Sequence, residues 1–260
     1  MNAQLDKIIA LPDVTLIAVT SVNITATVEA MKRSMSQAIF GAAKLLTDQR
    51  PSNMPAGVDH VIIPPLLSAQ AYSEFILRRL VEFVSTSHCL LIQWDGHVIH
   101  GDRWRSEFLS YDYIGARWPQ FSDGHVVGNG GFSLRSRGLL EACRDRGFRA
   151  SHPEDLAIGR HNRIWLEKQG FSFAPCALAD AFSAERAGDP ALGFGYHGVW
   201  HMPQILGRET FWQIYSGLDE HTSVKKEFGT LLRQLAGGKG GARMAAKFIY
   251  DRIRDVSNQL

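Results

Sequence analysis

The sequence predicts an α/β protein whose mostly parallel sheet has helices on both faces and is followed by a C-terminal helical extension. Three short apolar runs support this prediction, because each has the aliphatic or β-branched composition of a buried strand. They are residues 14–20 (VTLIAVT), 60–65 (HVIIPP) and 90–94 (LLIQW). Helical patterns separate them, and strands that alternate with helices favour a parallel sheet.

Helical spacing fills both gaps between these strands. Before the third strand, Ser68 is a candidate N-cap, since its hydroxyl can accept a hydrogen bond from a helix N–H. The apolar face of that helix is predicted to contain Tyr72, Ile76, Leu80 and Val84. The earlier helix is predicted to end before Pro51, and its apolar residues at helical intervals are Val28, Met31, Met35 and Ile39.

After residue 100 the pattern is more irregular. Residues 126–147 predict a glycine turn, a short strand and a helix, and residues 152–170 predict a further helix. The last part is helical apart from a flexible GGKGG segment at 237–241. We therefore expect a domain over residues 1–204 and a helical extension over 205–260.

Composition narrows the class of protein. The 260 residues are 45% hydrophobic and 21% charged, with a net charge of +2, which argues against a dedicated nucleic-acid partner. Cys89, Cys143 and Cys176 are scattered, as expected of reduced thiols in the cytoplasm. The N-terminal segment carries Asp6 and Asp13 instead of a basic start, so no signal peptide is expected. No apolar run reaches the about 18 residues of a membrane-spanning helix.

A carboxylate and an imidazole follow the third predicted strand, at Asp95 and His97, with Gly96 between them. Ligands of open α/β sheets bind at the carboxyl ends of the parallel strands. Because side chains alternate along an extended chain, Asp95 and His97 are expected to point the same way and to share a cation. The alternative is an ordinary Asp-Gly turn.

The order of features resembles the GT-A class of nucleotide-sugar glycosyltransferases, in which a D-x-D type metal motif ends a strand. The matching segments are Asp95-Gly96-His97, GNGGFSLRSR at 128–137, PED at 153–155 and FGYHG at 194–198. The second and third are most similar to a group of poorly characterised bacterial glycosyltransferase-like domains. The resemblance covers roughly residues 14–203. It implies a GT-A-like (Rossmann-like) fold, with a nucleotide half over about 1–100 and an acceptor half over about 101–204.

Sugar transfer gives a physical reason for a cation beside Asp95. Breaking the sugar–diphosphate bond leaves negative charge on the nucleoside diphosphate, and a divalent cation neutralises that charge. The expected ligands are Asp95, His97 and His197. His97 stands where the resembling class usually has a second aspartate, and the resemblance places His197 in a late loop. This mixed oxygen and imidazole set favours Mn²⁺, with Mg²⁺ next. The alternative for His197 is a structural role.

The resemblance also implies roles for an acidic pair. Asp155 is expected to be the general base that takes the proton of the acceptor hydroxyl, and Glu154 is expected to orient the acceptor. A base on the face opposite the leaving group implies inversion at the anomeric carbon. The alternative is that both residues are N-terminal helix acids that the helix dipole favours.

Donor and acceptor contacts are expected around three further segments. In the resembling class, the end of the first strand holds the donor base and ribose, so Thr20, Ser21 and Asn23 are candidate nucleotide contacts together with Trp94 and Asp95; strand-end hydroxyls that cap the next helix are the alternative. The bare backbone of Gly130 and Gly131 would let an acceptor sugar approach closely. The other candidate acceptor contacts are Asn129, Phe132 and Trp118, the last of which either stacks on a sugar or fills the core. Arg135 is expected at the surface or on a phosphate.

Basic residues are frequent after Pro203, between apolar ones. They suggest peripheral contact with anionic lipid, where lipid-linked acceptors reside, or else a solvated helix face, which Asp251 and Asp255 favour. The basic residues are Lys225, Lys226, Arg233, Lys239, Arg243, Lys247, Arg252 and Arg254.

The sequence as a whole predicts an inverting, metal-dependent glycosyltransferase of the cytoplasm or of the inner face of the membrane. Its expected donor is a nucleotide sugar, UDP-linked by preference, and its expected acceptor is a glycan or lipid-linked glycan of bacterial surface-polysaccharide synthesis. One alternative is another nucleotide-sugar enzyme, a nucleotidyltransferase or a hydrolase. The other is a non-catalytic module that binds a glycan or a protein partner.

Overall fold

The computed structural model describes residues 8–238 and 240–257. The outer ends of the predicted domain ranges, at 1–7 and 258–260, lie outside the described residues, as do Lys239 and the side chain of Asp255. The chain divides into two compact units, of which the first ends at His197 and the second begins at Gly198. This division falls before the boundary that the sequence predicts after residue 204.

The first unit is built on a six-stranded sheet with the strand order β3-β2-β1-β4-β7-β6. Strands β1 to β4 run parallel, whereas β7 is antiparallel to both β4 and β6. The strand bounds are β1 Ile9–Val19, β2 Ala38–Thr47, β3 Asp59–Ile62, β4 His88–Ile92, β5 Gly96–Val98, β6 Tyr113–Ile114, β7 Phe132–Ser136, β8 Ser183–Ala184 and β9 Gly195–His197.

Strand β2 is absent from the sequence prediction, which extended the first helix toward Pro51. Helix α1 (Ile24–Gln37) ends directly before β2, and no turn residue separates the two elements. The strand is specified by its pairing with β1, from Ile9 opposite Ala38 to Val19 opposite Leu46. Because this pairing joins residues far apart in the chain, local periodicity does not reveal it.

Helices cover both faces of this sheet, which confirms the predicted α/β class. On one face, Val28 and Met31 of α1 share a buried cluster with Leu16 of β1. On the other face, Phe75 of α2 (Ala69–Arg78) shares a cluster with Ile17. Leu16 and Ile17 are adjacent in β1, and neighbouring strand residues point to opposite faces. Ser68 caps α2 as expected, since its Oγ accepts from the backbone N–H of Ala71 at 3.0 Å.

A second, three-stranded sheet with the order β5-β9-β8 lies beyond the end of β4. Strands β5 and β9 are antiparallel and place Gly96 opposite His197. This pairing connects the residues after β4 to the last residues of the first unit. The remaining α-helices of this unit are α3 Arg137–Ala142, α4 Glu154–Leu156, α5 Arg163–Lys168 and α6 Cys176–Phe182, and a π-helical turn, Ala157–His161, joins α4 to α5. Short 3-10 helices lie at Leu80–Phe83, Gly101–Arg103 and Ser106–Ser110.

The second unit is helical, as the sequence predicts for this part of the chain. The rings of Phe228 and Phe248 stack at 4.8 Å, and Tyr215 packs edge-on against Phe248 at 5.2 Å. Over the described ranges, no helix has both the length and the apolar character that crossing a bilayer requires. The helices are α7 Met202–Leu206, α8 Arg208–Ser216, α9 Thr222–Lys226, α10 Phe228–Ala236 and α11 Gly241–Ser257.

Candidate functional site

Asp95 and His197 form the first part of the candidate site. Asp95 follows β4 in a turn that the Gly96 N–H closes on the carbonyl of Gln93 at 3.1 Å. The side chain of Asp95 is buried, and its Oδ1 lies 3.3 Å from Nε2 of His197. Because Gly96 stands opposite His197 in the small sheet, the absent side chain at Gly96 leaves room for this approach.

His197 lies between two carboxylates. On its other side, Nδ1 is 3.5 Å from Oε1 of Glu185, and Nε2 is also 3.2 Å from Oε1 of Gln93. Burial disfavours the imidazolium, but the charges of Asp95 and Glu185 outweigh burial and raise the pKa of His197 to about 10. Gln93 and Glu185 are absent from the sequence prediction. Gln93 precedes the noted Asp95 by two residues, whereas nothing local marks Glu185.

His97 does not join this pair. It stands opposite Tyr196 in the small sheet, on the face away from His197, and the two rings meet edge-on at 4.9 Å. Burial and the charge of Arg33 lower the pKa of His97 to about 3, so that its imidazole is neutral. The expectation that Asp95 and His97 point the same way is wrong, because Asp95 sits in the turn, where strand alternation has not begun.

The donor atoms around His197 fit a divalent cation better than the predicted set does. Within residues 8–238 and 240–257, no three His, Cys, Asp or Glu side chains are grouped to hold a metal ion. However, Oδ1 of Asp95 and Oε1 of Gln93 both lie within 3.3 Å of Nε2 of His197. Ligands at about 2.1 Å in octahedral geometry are about 3 Å apart, so this spacing suits one ion. Oδ1 of Asp95 is buried, and its 3.3 Å separation from Nε2 of His197 is longer than the about 2.8 Å of a charge-assisted hydrogen bond.

The glycine pair of the GNGGFS segment lies directly against His197 and the acidic pair. A Cβ added to Gly131 would lie 2.1 Å from Nε2 of His197. A Cβ added to Gly130 would lie 2.7 Å from Oε1 of Glu154 and 3.0 Å from Cβ of Asp155. His197 and the Glu154–Asp155 pair therefore adjoin two neighbouring glycines, with no glycine side chain between them.

Glu154 is held in a buried network. Its Oε1 accepts from Nη2 of Arg135 at 3.2 Å, and its Oε2 accepts from Oγ of Ser73 at 3.3 Å. Arg135 is fully buried in β7, and its guanidinium also contacts the Gly130 carbonyl at 3.4 Å and the ring of Tyr113. The expectation that Arg135 lies at the surface is wrong, because β7 lies inside the sheet between β4 and β6.

Asp155 is more accessible than Glu154, and its pKa is higher than that of an ordinary aspartate. Burial and the neighbouring charge of Glu154 raise its pKa to about 6. Three groups oppose this rise because they stabilise the Asp155 carboxylate: the Leu156 N–H, the charge of Arg135 and the Gly130 N–H. The Leu156 N–H donates to Oδ1 of Asp155 at 2.7 Å. Asp155 is thus mainly ionised at neutral pH yet more basic than a solvated aspartate, which suits a general base.

The other predicted acceptor residues have structural contacts. Oδ1 of Asn129 accepts from the Gly131 N–H at 3.1 Å and so shapes the glycine turn. Phe132 is buried in the aromatic core against Phe182 and Phe194. Trp118 is 5% exposed, and its ring occupies the space beside Gly128 and Gly159 that side chains there would fill, which leaves little of the ring for a sugar.

The predicted nucleotide residues lie at the carboxyl ends of β1 and β4. Oγ of Ser21 accepts from the Leu66 N–H at 2.8 Å, which ties the segment after β1 to the segment after β3. The hydroxyl of Thr20 contacts the backbone of Val22. Asn23 precedes α1 with a left-handed φ of 52° and makes no side-chain cap. Trp94 is half-buried in the turn before Asp95.

The chain matches one family model and is similar in structure to solved glycosyltransferases. No curated protein matches the chain. The galactosyltransferase LgtC, in complex with donor and acceptor sugar analogs, is similar at 12% identity and a TM-score of 0.43, over 84% of this chain and 100% of that one. The apo-form glycosyltransferase GlyE of Streptococcus pneumoniae TIGR4 is similar at 14% identity and a TM-score of 0.45, over 83% of this chain and 63% of that one. The family model described as "Protein of unknown function (DUF5672)" matches residues 60–197, more than half of the chain.

Proposed function

The chain belongs to the DUF5672 family, and we propose that it is an inverting, metal-dependent glycosyltransferase. It would move a sugar from a nucleoside-diphosphate sugar, UDP-linked by preference, to a hydroxyl of a glycan acceptor. One observation carries this proposal: the backbone of Gly130 and Gly131 touches His197 on one side and the Glu154–Asp155 pair on the other. Sugar transfer needs a group that stabilises the leaving diphosphate and a base for the acceptor hydroxyl near the same carbon. His197 and Asp155 adjoin neighbouring glycines and could supply these two roles at one site.

The donor is proposed to bind at the carboxyl ends of β1 and β4. Asp95, Gln93 and His197 would hold Mn²⁺ or Mg²⁺, and Glu185 would accept the Nδ1 proton of His197 and fix the ring, as carboxylates do beside ligating histidines. The cation would neutralise the charge that develops on the diphosphate. The segments that Ser21 and Leu66 join lie at the strand ends where the base and ribose are expected.

The acceptor is proposed to bind beside Asp155. As the acceptor oxygen attacks the anomeric carbon, its proton passes to the Asp155 carboxylate. The bond from that carbon to the diphosphate oxygen breaks, and its electron pair stays with the diphosphate. Attack from the side opposite the leaving group inverts the anomeric configuration.

Glu154 is better suited to positioning than to contact with the acceptor. Both of its carboxylate oxygens are directed inward, to Arg135 and to Ser73. Its negative charge contributes to the raised pKa of Asp155. We therefore assign Asp155 alone to proton transfer and assign Glu154 to holding Asp155 and Gly130 in place.

The acceptor pathway and the cellular compartment are proposed from the sequence. The resemblance to bacterial glycosyltransferase-like domains favours an acceptor in surface-polysaccharide synthesis, either a glycan or a lipid-linked glycan. Scattered cysteines favour a reducing compartment, and hence the cytoplasm. Neither statement depends on the geometry of the site.

Turnover of a panel of nucleotide sugars, followed by NMR with Mn²⁺ present, tests the proposal. We expect release of a nucleoside diphosphate and a product of inverted configuration, and a kcat about 10²–10⁴-fold lower in Asp155→Asn. Asp102→Asn, which removes a charge at an exposed position of the same unit, is the matched control. Pyrophosphate as product would indicate a nucleotidyltransferase. Ligand binding without turnover by the wild-type protein would indicate a non-catalytic module.

A further inference from the structure

Helix α11 of the second unit has two parallel stripes on its exposed side. The apolar stripe recurs at intervals of four, three and four residues, and its isoleucines Ile249 and Ile253 are 41% and 61% exposed. Its other members are Ala242 and Ala246. The neighbouring stripe contains the exposed cations Arg243, Lys247 and Arg254 together with Tyr250, which is 59% exposed.

The opposite side of α11 is packed, so the orientation of the helix is fixed. Phe248 is 2% exposed and stacks on Phe228 of α10 at 4.8 Å. Asp251 lies toward this side, where it accepts from the hydroxyl of Tyr215 at 3.1 Å. The exposed isoleucines are therefore not core residues of a helix that could simply rotate inward.

The exposed charges of α11 that the structure describes are all positive. Among the described side chains of α11, Asp251 is the single acid, and it is half-buried and paired with Lys247. Arg243 lies about two turns from Asp251 along the helix, whereas Arg254 lies just under one turn from it. An isolated exposed isoleucine is ordinary on a protein surface, but an apolar stripe beside a basic one is the arrangement of helices that lie in a membrane interface.

We propose that this face of α11 binds the surface of an anionic lipid bilayer. Ile249 and Ile253 would enter the headgroup region, while Arg243 and Arg254 would contact lipid phosphates and Tyr250 would lie at the boundary. A second copy of the chain fits less well, because pairing the apolar stripes would bring the two basic stripes together. This inference is independent of the proposed sugar transfer.

Flotation of the whole protein with lipid vesicles tests the proposal. One set contains equal parts of phosphatidylglycerol and phosphatidylcholine, and the other contains phosphatidylcholine alone. We expect binding to the anionic vesicles only, weakened by salt. Arg243→Gln/Arg254→Gln should reduce partitioning about thirtyfold, since each basic residue near an anionic surface contributes about 1 kcal/mol. Ile249→Ser/Ile253→Ser should reduce it about tenfold or more, through lost apolar burial.

The matched control is Arg105→Gln/Arg146→Gln, which removes the same charge from exposed positions of the first unit and should bind as the wild type does. All four altered residues of α11 are exposed, so thermal unfolding should not change. Three results would overturn the proposal. They are no binding of the wild type to anionic vesicles, equal loss in the control variant, and a dimer in gel filtration that Ile249→Ser/Ile253→Ser dissociates.

Discussion

Replacing Gly131 by alanine tests the contact that joins the two parts of the candidate site. The added Cβ would lie 2.1 Å from Nε2 of His197 and 2.3 Å from its Cε1, whereas ordinary contact begins at 3.4 Å. Gly131 is not among the glycines with a positive φ, so alanine meets a steric conflict and no backbone strain. The imidazole or the glycine turn must therefore move by about 1 Å, and overpacking of this kind costs about 1–3 kcal/mol of unfolding free energy.

The double-mutant cycle with His197→Ala isolates this contact. Removing the imidazole removes the atoms that the new methyl group would strike, so Gly131→Ala should cost about 1–3 kcal/mol in the wild type and close to nothing in His197→Ala. Urea unfolding of the four proteins measures both costs. Gly229→Ala is the control, because a Cβ there meets nothing within 4 Å and should stabilise α10 by about 0.5–1 kcal/mol.

Gly131→Ala should lower the rate of sugar transfer more than it lowers the free energy of unfolding. A displacement of about 1 Å at a reacting centre can cost about 10²-fold in rate. It would also separate His197 from Asp95, so Mn²⁺-dependent nucleotide binding should weaken. An equal cost of Gly131→Ala in the presence and absence of the His197 imidazole would refute the proposed contact.

Three further outcomes are expected. The kcat/KM of the wild type should fall below a pH of about 6, because burial and Glu154 raise the pKa of Asp155 to that value and the base must be ionised; a flat profile down to pH 5 would exclude Asp155 as the base. Glu154→Ala should cost about 3–5 kcal/mol in urea unfolding because it leaves Arg135 buried and unpaired, whereas Glu141→Ala, which breaks two exposed pairs, with Arg137 and Arg144, should cost about 1 kcal/mol or less. His97→Gln should keep Mn²⁺-dependent nucleotide affinity in calorimetric titration, since its ring lies on the face away from His197; a loss would return it to the ligand set.

Those parts of the fold that depend on local pattern are predictable from the sequence. The apolar part of β1 at 14–19 and the helix capped by Ser68 have the composition and the N-cap residue that specify them locally, whereas the first part of β1, from Ile9, lies before the predicted run. The glycine turn before β7 is marked by its GNGG sequence in the same way. In each case the determining contacts lie within a few residues.

Parts that depend on distant partners are not predictable in this way. Strand β2 follows α1 without a turn and is set by its pairing with β1. Nothing in the local sequence distinguishes Arg135 from a surface arginine. Its burial follows from the position of β7 inside the sheet and from its ion pair with Glu154. The same limit applies within the site, where Glu185 meets His197 only because β8 pairs with β9.

The proposed donor site is tested most directly by calorimetric titration of nucleoside diphosphates into the wild type and Asp95→Ala, with and without Mn²⁺. We expect a nucleoside diphosphate to bind the wild type only when Mn²⁺ is present, and Asp95→Ala to lose this binding while keeping its cooperative thermal unfolding. Binding of equal affinity in Asp95→Ala, or no binding of any nucleoside diphosphate by the wild type, would contradict the proposed site.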